Sequence, residues 1–207
     1  MKPIVEKWHC HIDITTVCQN ACMYCSRYMR HTKDRGHMNL EYFERALDTL
    51  LEWPNRIGLM GGEPTLHPEF PKICEIMRDP KRNHPNFKRL MDRYSLFTTG
   101  GKAYERHREV ISWTFHYVEV FEHNPNQTAI CKHQPTTIAI QDVIDDPDLR
   151  EELINDCWVD KTWCATINEY GGYFCEVAAA IDRITTKGSR AFPLTNDWWM
   201  RDTNDSD

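Results

Sequence analysis

Three cysteines, Cys18, Cys22 and Cys25, lie in the run IDITTVCQNACMYCSRY with the spacing CxxxCxxC, directly after a short β-branched apolar stretch. Thiolates this close in sequence can converge on one metal centre without help from distant chain. Structural zinc sites and ordinary electron-transfer clusters are usually closed by a fourth protein ligand, so a site with three leaves one coordination position open to a substrate or cofactor. On the residues alone two other readings stand beside this one: a zinc ion completed by His11, His31 or His37, and unrelated core thiols.

The chain around this motif reads as strands alternating with helices. Strands are expected at His11 to Val17, Ile57 to Met60, Tyr94 to Thr99, Tyr117 to Phe121 and Thr136 to Ile140. Leu40, Phe43, Leu47, Leu50 and Leu51 repeat with helical period after a capping Asn39, and Phe70, Ile73, Cys74 and Met77 do so until Asp79 and Pro80 stop them. Tyr104, His107, Val110 and Ile111 predict a weaker third helix. Strands separated by helices imply parallel pairing with right-handed crossovers. At the end of the second strand stands LMGGEPTLHPEF, in which Gly61 and Gly62 let a ligand approach the backbone and Glu63 offers a carboxylate beside exposed amides. Such a turn suits an amino-acid-like ligand with a positive amino group.

At 207 residues, 41% of them hydrophobic and with seven tryptophans, the chain can build one sizeable core and not two full catalytic domains. A formal charge of −6 gives no general reason to hold nucleic acid or an anionic membrane, and neither is an expected partner. No stretch approaches the roughly 20 apolar residues of a bilayer span, and the N-terminus has no signal-peptide core. With nine cysteines, an odd number, this argues for reduced thiols in a cytoplasmic protein rather than a disulfide framework. Arg78, Lys81, Arg82, Lys88, Arg89 and Arg93 read as a solvated basic surface.

CxxxCxxC after the first strand followed by GGEP after the second resembles the radical SAM family. The resemblance spans residues 11 to about 144 and implies an α/β fold: a partial TIM-like barrel of about five to six parallel strands, with its functional residues on loops at the strand carboxyl ends. It implies that Cys18, Cys22 and Cys25 hold a [4Fe-4S] cluster whose open iron is chelated by S-adenosylmethionine. Gly61, Gly62, Glu63 and Pro64 would meet the methionine end of that cofactor, Tyr24 its adenine, and Thr98, Thr99 and Gly100 its ribose or the substrate. The implied activity is reductive cleavage to a 5′-deoxyadenosyl radical that abstracts hydrogen from a small-molecule or peptide substrate, with electrons from a donor such as flavodoxin or ferredoxin.

Beyond a boundary near Asp145 the pattern changes. Asp146 caps a short acidic helix from Asp148 to Asn155, and a cysteine-bearing segment follows. The expected division is a barrel over 1–145, this segment over 146–200 and a frayed tail over 201–207. Ala165 to Ile167 and Tyr173 to Val177 flank Gly171 and Gly172 as a hairpin. Cys157, Cys164 and Cys175 there resemble the shortened auxiliary-cluster segment called twitch, or the longer SPASM domain. That resemblance implies a second iron-sulfur cluster, either held by these three cysteines with an open iron or completed by Cys131 or a non-cysteine group; the glycine-to-cysteine spacing is tighter than usual, and a truncated, vestigial or zinc-loaded site is the alternative. Cys10 and Cys74 read as packing residues, and Glu122 and His123 as a pair that can face substrate. The rival readings are a metal-binding or electron-transfer module that does not cleave the cofactor and a zinc-stabilised interaction protein; neither needs Glu63.

Overall fold

A computed structural model describes residues 3–22, 25–121 and 140–201. Six strands form one sheet: β1 His9–Asp13, β2 Arg56–Met60, β3 Tyr94–Thr98, β4 Tyr117–Val120, β5 Cys164–Ile167 and β6 Gly172–Tyr173. Their order is β4-β3-β2-β1-β5-β6, and every neighbouring pair is parallel except β5 with β6. The sheet is mostly parallel and open, as a partial barrel requires.

Strand β1 is central and every residue of it is buried. Cys10 and Ile12 lie in register with Ile57, Leu59, Ala165 and Ile167, and this face joins a core with Phe43 and Leu47 of α1 (Leu40–Asp48) and Phe70, Ile73 and Met77 of α2 (Phe70–Met77). Alternation along the strand sends His9, His11 and Asp13 to the opposite, inner face. The expected first strand, His11 to Val17, is thus displaced toward the N-terminus. Its polar residues belong to an interior face, and beyond Asp13 the chain leaves the sheet, with Thr15 making only an isolated bridge to His37.

Helix α1 starts where expected, with the Asn39 side chain accepting from the Tyr42 amide at 2.7 Å. The third helix is two, α3 Lys102–Arg106 and α4 Arg108–Thr114. The break is at His107, which leaves helical geometry at φ −102°, ψ 8° as its ring packs on Phe70 at 5.2 Å. Helix α5, Pro147–Asn155, is capped by Asp146 as anticipated. The second hairpin arm is shorter than expected: strand ends at Tyr173, and α6, Glu176–Thr185, takes over with the Cys175 sulfur accepting from the Ala178 amide. Three successive alanines favour helix over strand there.

Residues 146–200 supply β5 and β6 to the sheet that contains β1, and Trp198 and Trp199 to the same core. Trp199 donates to the Thr49 carbonyl at 2.9 Å and meets Trp53 edge-on at 5.5 Å. A π-helical turn, Val159–Trp163, delivers the chain into β5 and is held to the N-terminus by Lys7, buried against Asp160. The expected strand over Thr136 to Ile140 lies outside the described residues except for Ile140, which opens a 3-10 turn. Tyr24, Glu122, His123, Cys131 and most of the tail also lie outside them. No helix among the described residues is long and apolar enough to cross a membrane.

Candidate active site

A cavity opens at the carboxyl ends of β1, β2 and β3. Cys18, Cys22 and Cys25 line it together with Gly61, Gly62, Thr98 and Thr99, so the two motifs and the third-strand loop share one space. Its inner wall is Phe97, Met60, Trp163, Arg27 and Glu176. Among the described residues, the three motif sulfurs do not appear as a set closed to the 4.8 Å that a single ion's ligands reach; only His11, Cys164 and Glu176 do.

The Gly61–Glu63 loop is built differently from its expected role. Amides of Gly62 and Glu63 do not face the cavity: they donate to the carbonyls of Thr15 at 2.7 Å and Val17 at 2.8 Å. The glycines exist for this contact. A Cβ on Gly62 would lie 2.2 Å from the Val17 oxygen and 3.0 Å from the Cys18 Cβ, and Gly61 has φ +137° with the Thr15 oxygen 2.4 Å from any Cβ. The close approach that these glycines permit is that of the cysteine loop. Gly62→Ala is therefore expected to destabilise the protein by about 1–3 kcal/mol through overpacking against backbone that cannot yield, read by urea unfolding without metal or cofactor.

The Glu63 carboxylate is fully buried and turned away from the cavity. One oxygen accepts from the Thr65 amide at 3.1 Å, the Thr65 hydroxyl at 2.6 Å and the Thr98 hydroxyl at 2.7 Å; the other accepts from the Thr99 amide at 2.7 Å and hydroxyl at 2.8 Å. Gln19, next to Cys18, donates to the Thr99 hydroxyl at 2.9 Å and the Gly100 carbonyl at 3.1 Å. Glu63 thus clamps the loops after β2 and β3 together, and Gln19 joins the cysteine loop to them. Pro64 opens the 3-10 turn Pro64–Leu66 and is buried behind the cavity.

The inner wall holds residues that the motifs did not single out. Arg27 donates to Asp13 at 2.8 Å, to the His11 Nδ1 at 2.9 Å and to Glu176 at 2.9 Å. A guanidinium can only donate, so His11 accepts at Nδ1 and carries its proton on Nε2. Burial disfavours the charged form of His11, which keeps the ring neutral. Burial also opposes ionisation of Glu176, but the Arg27 guanidinium beside it overcomes this and holds its carboxyl far below the usual range. Although His11, Cys164 and Glu176 gather as metal ligands do, the Arg27 guanidinium already provides the positive charge there. The readable signal was the alternation HCHID, with polar residues at every second position of a central strand.

His9, 8% exposed, packs among Trp163 at 5.3 Å, His11 at 5.5 Å and Phe97 at 5.6 Å. Burial, then the neighbouring His11 and Arg56, pull its pKa down to about 3. The unfolded chain takes up this proton near the ordinary value of about 6.5 and the folded one does not. Stability is therefore complete above pH 6.5 and falls as pH drops toward 3, by up to about 1.4 kcal/mol per pH unit. His9→Phe should remove this contribution, measured as the difference in urea unfolding free energy between pH 7 and pH 5.

The second cysteine group divides. Cys157 is exposed, while Cys164 and Cys175 are buried. The Cys164 thiol donates to Glu176 at 3.4 Å, and Cys175 caps α6. Burial raises the Cys164 thiol well above its ordinary value and pushes Cys175 up to about 12.

Residues 12–115 match the family model described as the Radical SAM superfamily. No curated protein matches the chain. Among solved structures, the fold is similar to BtrN in complex with AdoMet and 2-DOIA, at 16% identity and a TM-score of 0.58, covering 95% of this chain and 83% of that one. It is equally similar to selenomethionine-substituted BtrN in an open conformation, at 14% identity and a TM-score of 0.58, covering 95% and 81%.

Proposed function

The chain belongs to the radical SAM superfamily, and from this premise we propose that Cys18, Cys22 and Cys25 hold a [4Fe-4S] cluster at which S-adenosylmethionine is reductively cleaved. The observation that carries the proposal is the convergence of the three thiols, the Gly61–Gly62 loop and Thr98–Thr99 on one cavity. When bound, the cluster and cofactor supply one-electron cleavage of a carbon–sulfur bond and a 5′-deoxyadenosyl radical that takes hydrogen from substrate.

The protein's own part is to hold and to exclude. With the amides of Gly62 and Glu63 spent on the cysteine loop, we assign the contact with the cofactor's amino group to carbonyl oxygens of Gly61 and Gly62. Thr99, fixed by Glu63 and Gln19, borders the nucleoside side. Phe97, Met60 and Trp163 give the inner wall an apolar side, which would keep water and stray hydrogen donors from the reacting centre. BtrN, of similar fold, was crystallised with both AdoMet and 2-DOIA, which supports a cavity that takes cofactor and a small organic substrate together. Cys164 and Cys175, each buried with a local partner, favour a structural role for the second cysteine group.

Anaerobically reconstituted protein should be brown, and reduction in the presence of S-adenosylmethionine should release 5′-deoxyadenosine. A colourless protein carrying zinc, or a brown one that releases none, would overturn the proposal.

A further inference from the structure

We propose that Glu176, about 150 residues downstream of the cysteine motif, is a positioning residue for the loop that carries it, acting through Ser26 and Arg27. The inference rests on the reading that Cys18, Cys22 and Cys25 hold the cluster.

Between the end of β1 and the start of α1 the described chain forms no regular strand or helix, so the positions of the motif cysteines depend on individual contacts with neighbouring segments rather than on a continuous backbone ladder. The amino-terminal side of the loop has such contacts: Thr15 and Val17 accept from the Gly62 and Glu63 amides, and Gln19 reaches Thr99. The carboxyl-terminal side, after Cys25, turns sharply. The Tyr28 amide donates to the Cys25 carbonyl at 2.9 Å, and Tyr28 itself adopts φ +52°, a conformation that non-glycine residues seldom take. Surrounding structure must over-determine such a turn for it to persist.

Inside that turn the Arg27 guanidinium pairs with the Glu176 carboxylate at 2.9 Å, and the neighbouring Ser26 side chain also favours that carboxylate's charged form. Arg27 is 4% exposed and runs beneath the loop. Asp13 alone would hold the guanidinium at one edge and leave its plane free to swing. Glu176 on Nη1 and His11 on Nη2 add the second and third points that fix a planar fork. Glu176 is itself immobile: it is the first residue of α6, capped by Cys175, and accepts from the Cys164 thiol. This gives the buried inner cysteines a purpose apart from metal, as supports of the carboxylate that sets the Cys25 side of the site.

A buried ion pair that served only the fold would behave differently, and the two roles separate experimentally. Glu176→Gln keeps the shape and drops the charge; Glu176→Asp keeps the charge and withdraws it by one methylene; Ser26→Ala removes the loop's own hydroxyl that favours the Glu176 charge. Each is compared with wild type after anaerobic reconstitution, using only the fraction that circular dichroism shows to be folded. The readouts are the rate at which a chelator strips iron and the change that S-adenosylmethionine induces in the electron paramagnetic resonance spectrum of the reduced cluster. We expect both Glu176 variants to lose iron about tenfold faster or more, the scale of outer-shell support at metal sites, with the cofactor-induced spectral change broadened or lost and Ser26→Ala intermediate. Wild-type iron retention and an unaltered spectral response in the folded variants would overturn the inference, whatever their unfolding midpoints. Should neither Glu176 variant fold, Ser26→Ala decides by the same two readouts. Wild-type protein that incorporates no iron would instead remove the reading beneath it.

Discussion

Cys22→Ala is expected to remain folded, lose its colour and release no 5′-deoxyadenosine above background. Cys22 is half-buried on a loop outside the core, so truncating it should change stability by less than about 1 kcal/mol. Its loss leaves two thiolates where the proposed site uses three, and an iron corner without a protein ligand cannot be replaced by the neighbouring Cys18 and Cys25. Cys157→Ala, at an exposed position that does not line the cavity, serves as the control and should keep wild-type iron and activity. Iron and sulfide content with product release distinguishes the pair. Retained cleavage in Cys22→Ala would contradict the assignment of the motif, and loss of half the iron in Cys157→Ala would restore a second cluster.

Glu63→Ala is expected to damage the apoprotein as well as the activity. Its carboxylate receives five hydrogen bonds from Thr65, Thr98 and Thr99 with no exposure to solvent. Alanine would leave two buried amides and three hydroxyls seeking acceptors. The hydroxyls can rotate to other partners, but the amides of Thr65 and Thr99 cannot, so the cost should be about 3–5 kcal/mol. Urea unfolding in the absence of metal and cofactor measures it directly. Were Glu63 chiefly a ligand contact, that measurement would match wild type and only cofactor binding would fall. In the clamped arrangement, Thr98 and Thr99 also drift from Gly61 and Gly62, and cleavage is lost even where some cluster is retained.

Much of the architecture was legible because it depends on local periodicity. The α2 stripe, the Asn39 cap of α1 and the abrupt ends of β2 and β3 at glycine pairs are short-range features that lie where their patterns put them, while α1 ends at Asp48, short of the expected Leu50 and Leu51. The breaks in that success are physical. His107, where the third helix breaks, packs on the distant Phe70 ring, and the start of β1 at His9 rather than His11 reflects an interior face that accepts polar side chains because Arg27 and Arg183 balance Asp13 and Glu176 there. The three-alanine run after Cys175 was itself a local helix signal, hidden by the hairpin reading.

By itself the sequence determined which thiols stand near one another and that two motifs follow successive strands, since a few residues of separation leave the chain little freedom to do otherwise. Only the tertiary structure decided what each motif residue faces. It spent the Gly62 and Glu63 amides on the cysteine loop, turned the Glu63 carboxylate onto Thr98 and Thr99, and brought Glu176 beneath Arg27. Those pairings join residues 35 to nearly 150 positions apart, and spacing along a chain carries no information about which buried donor will meet which acceptor. That is settled when packing removes water and leaves each polar group only the partners the fold has placed within reach.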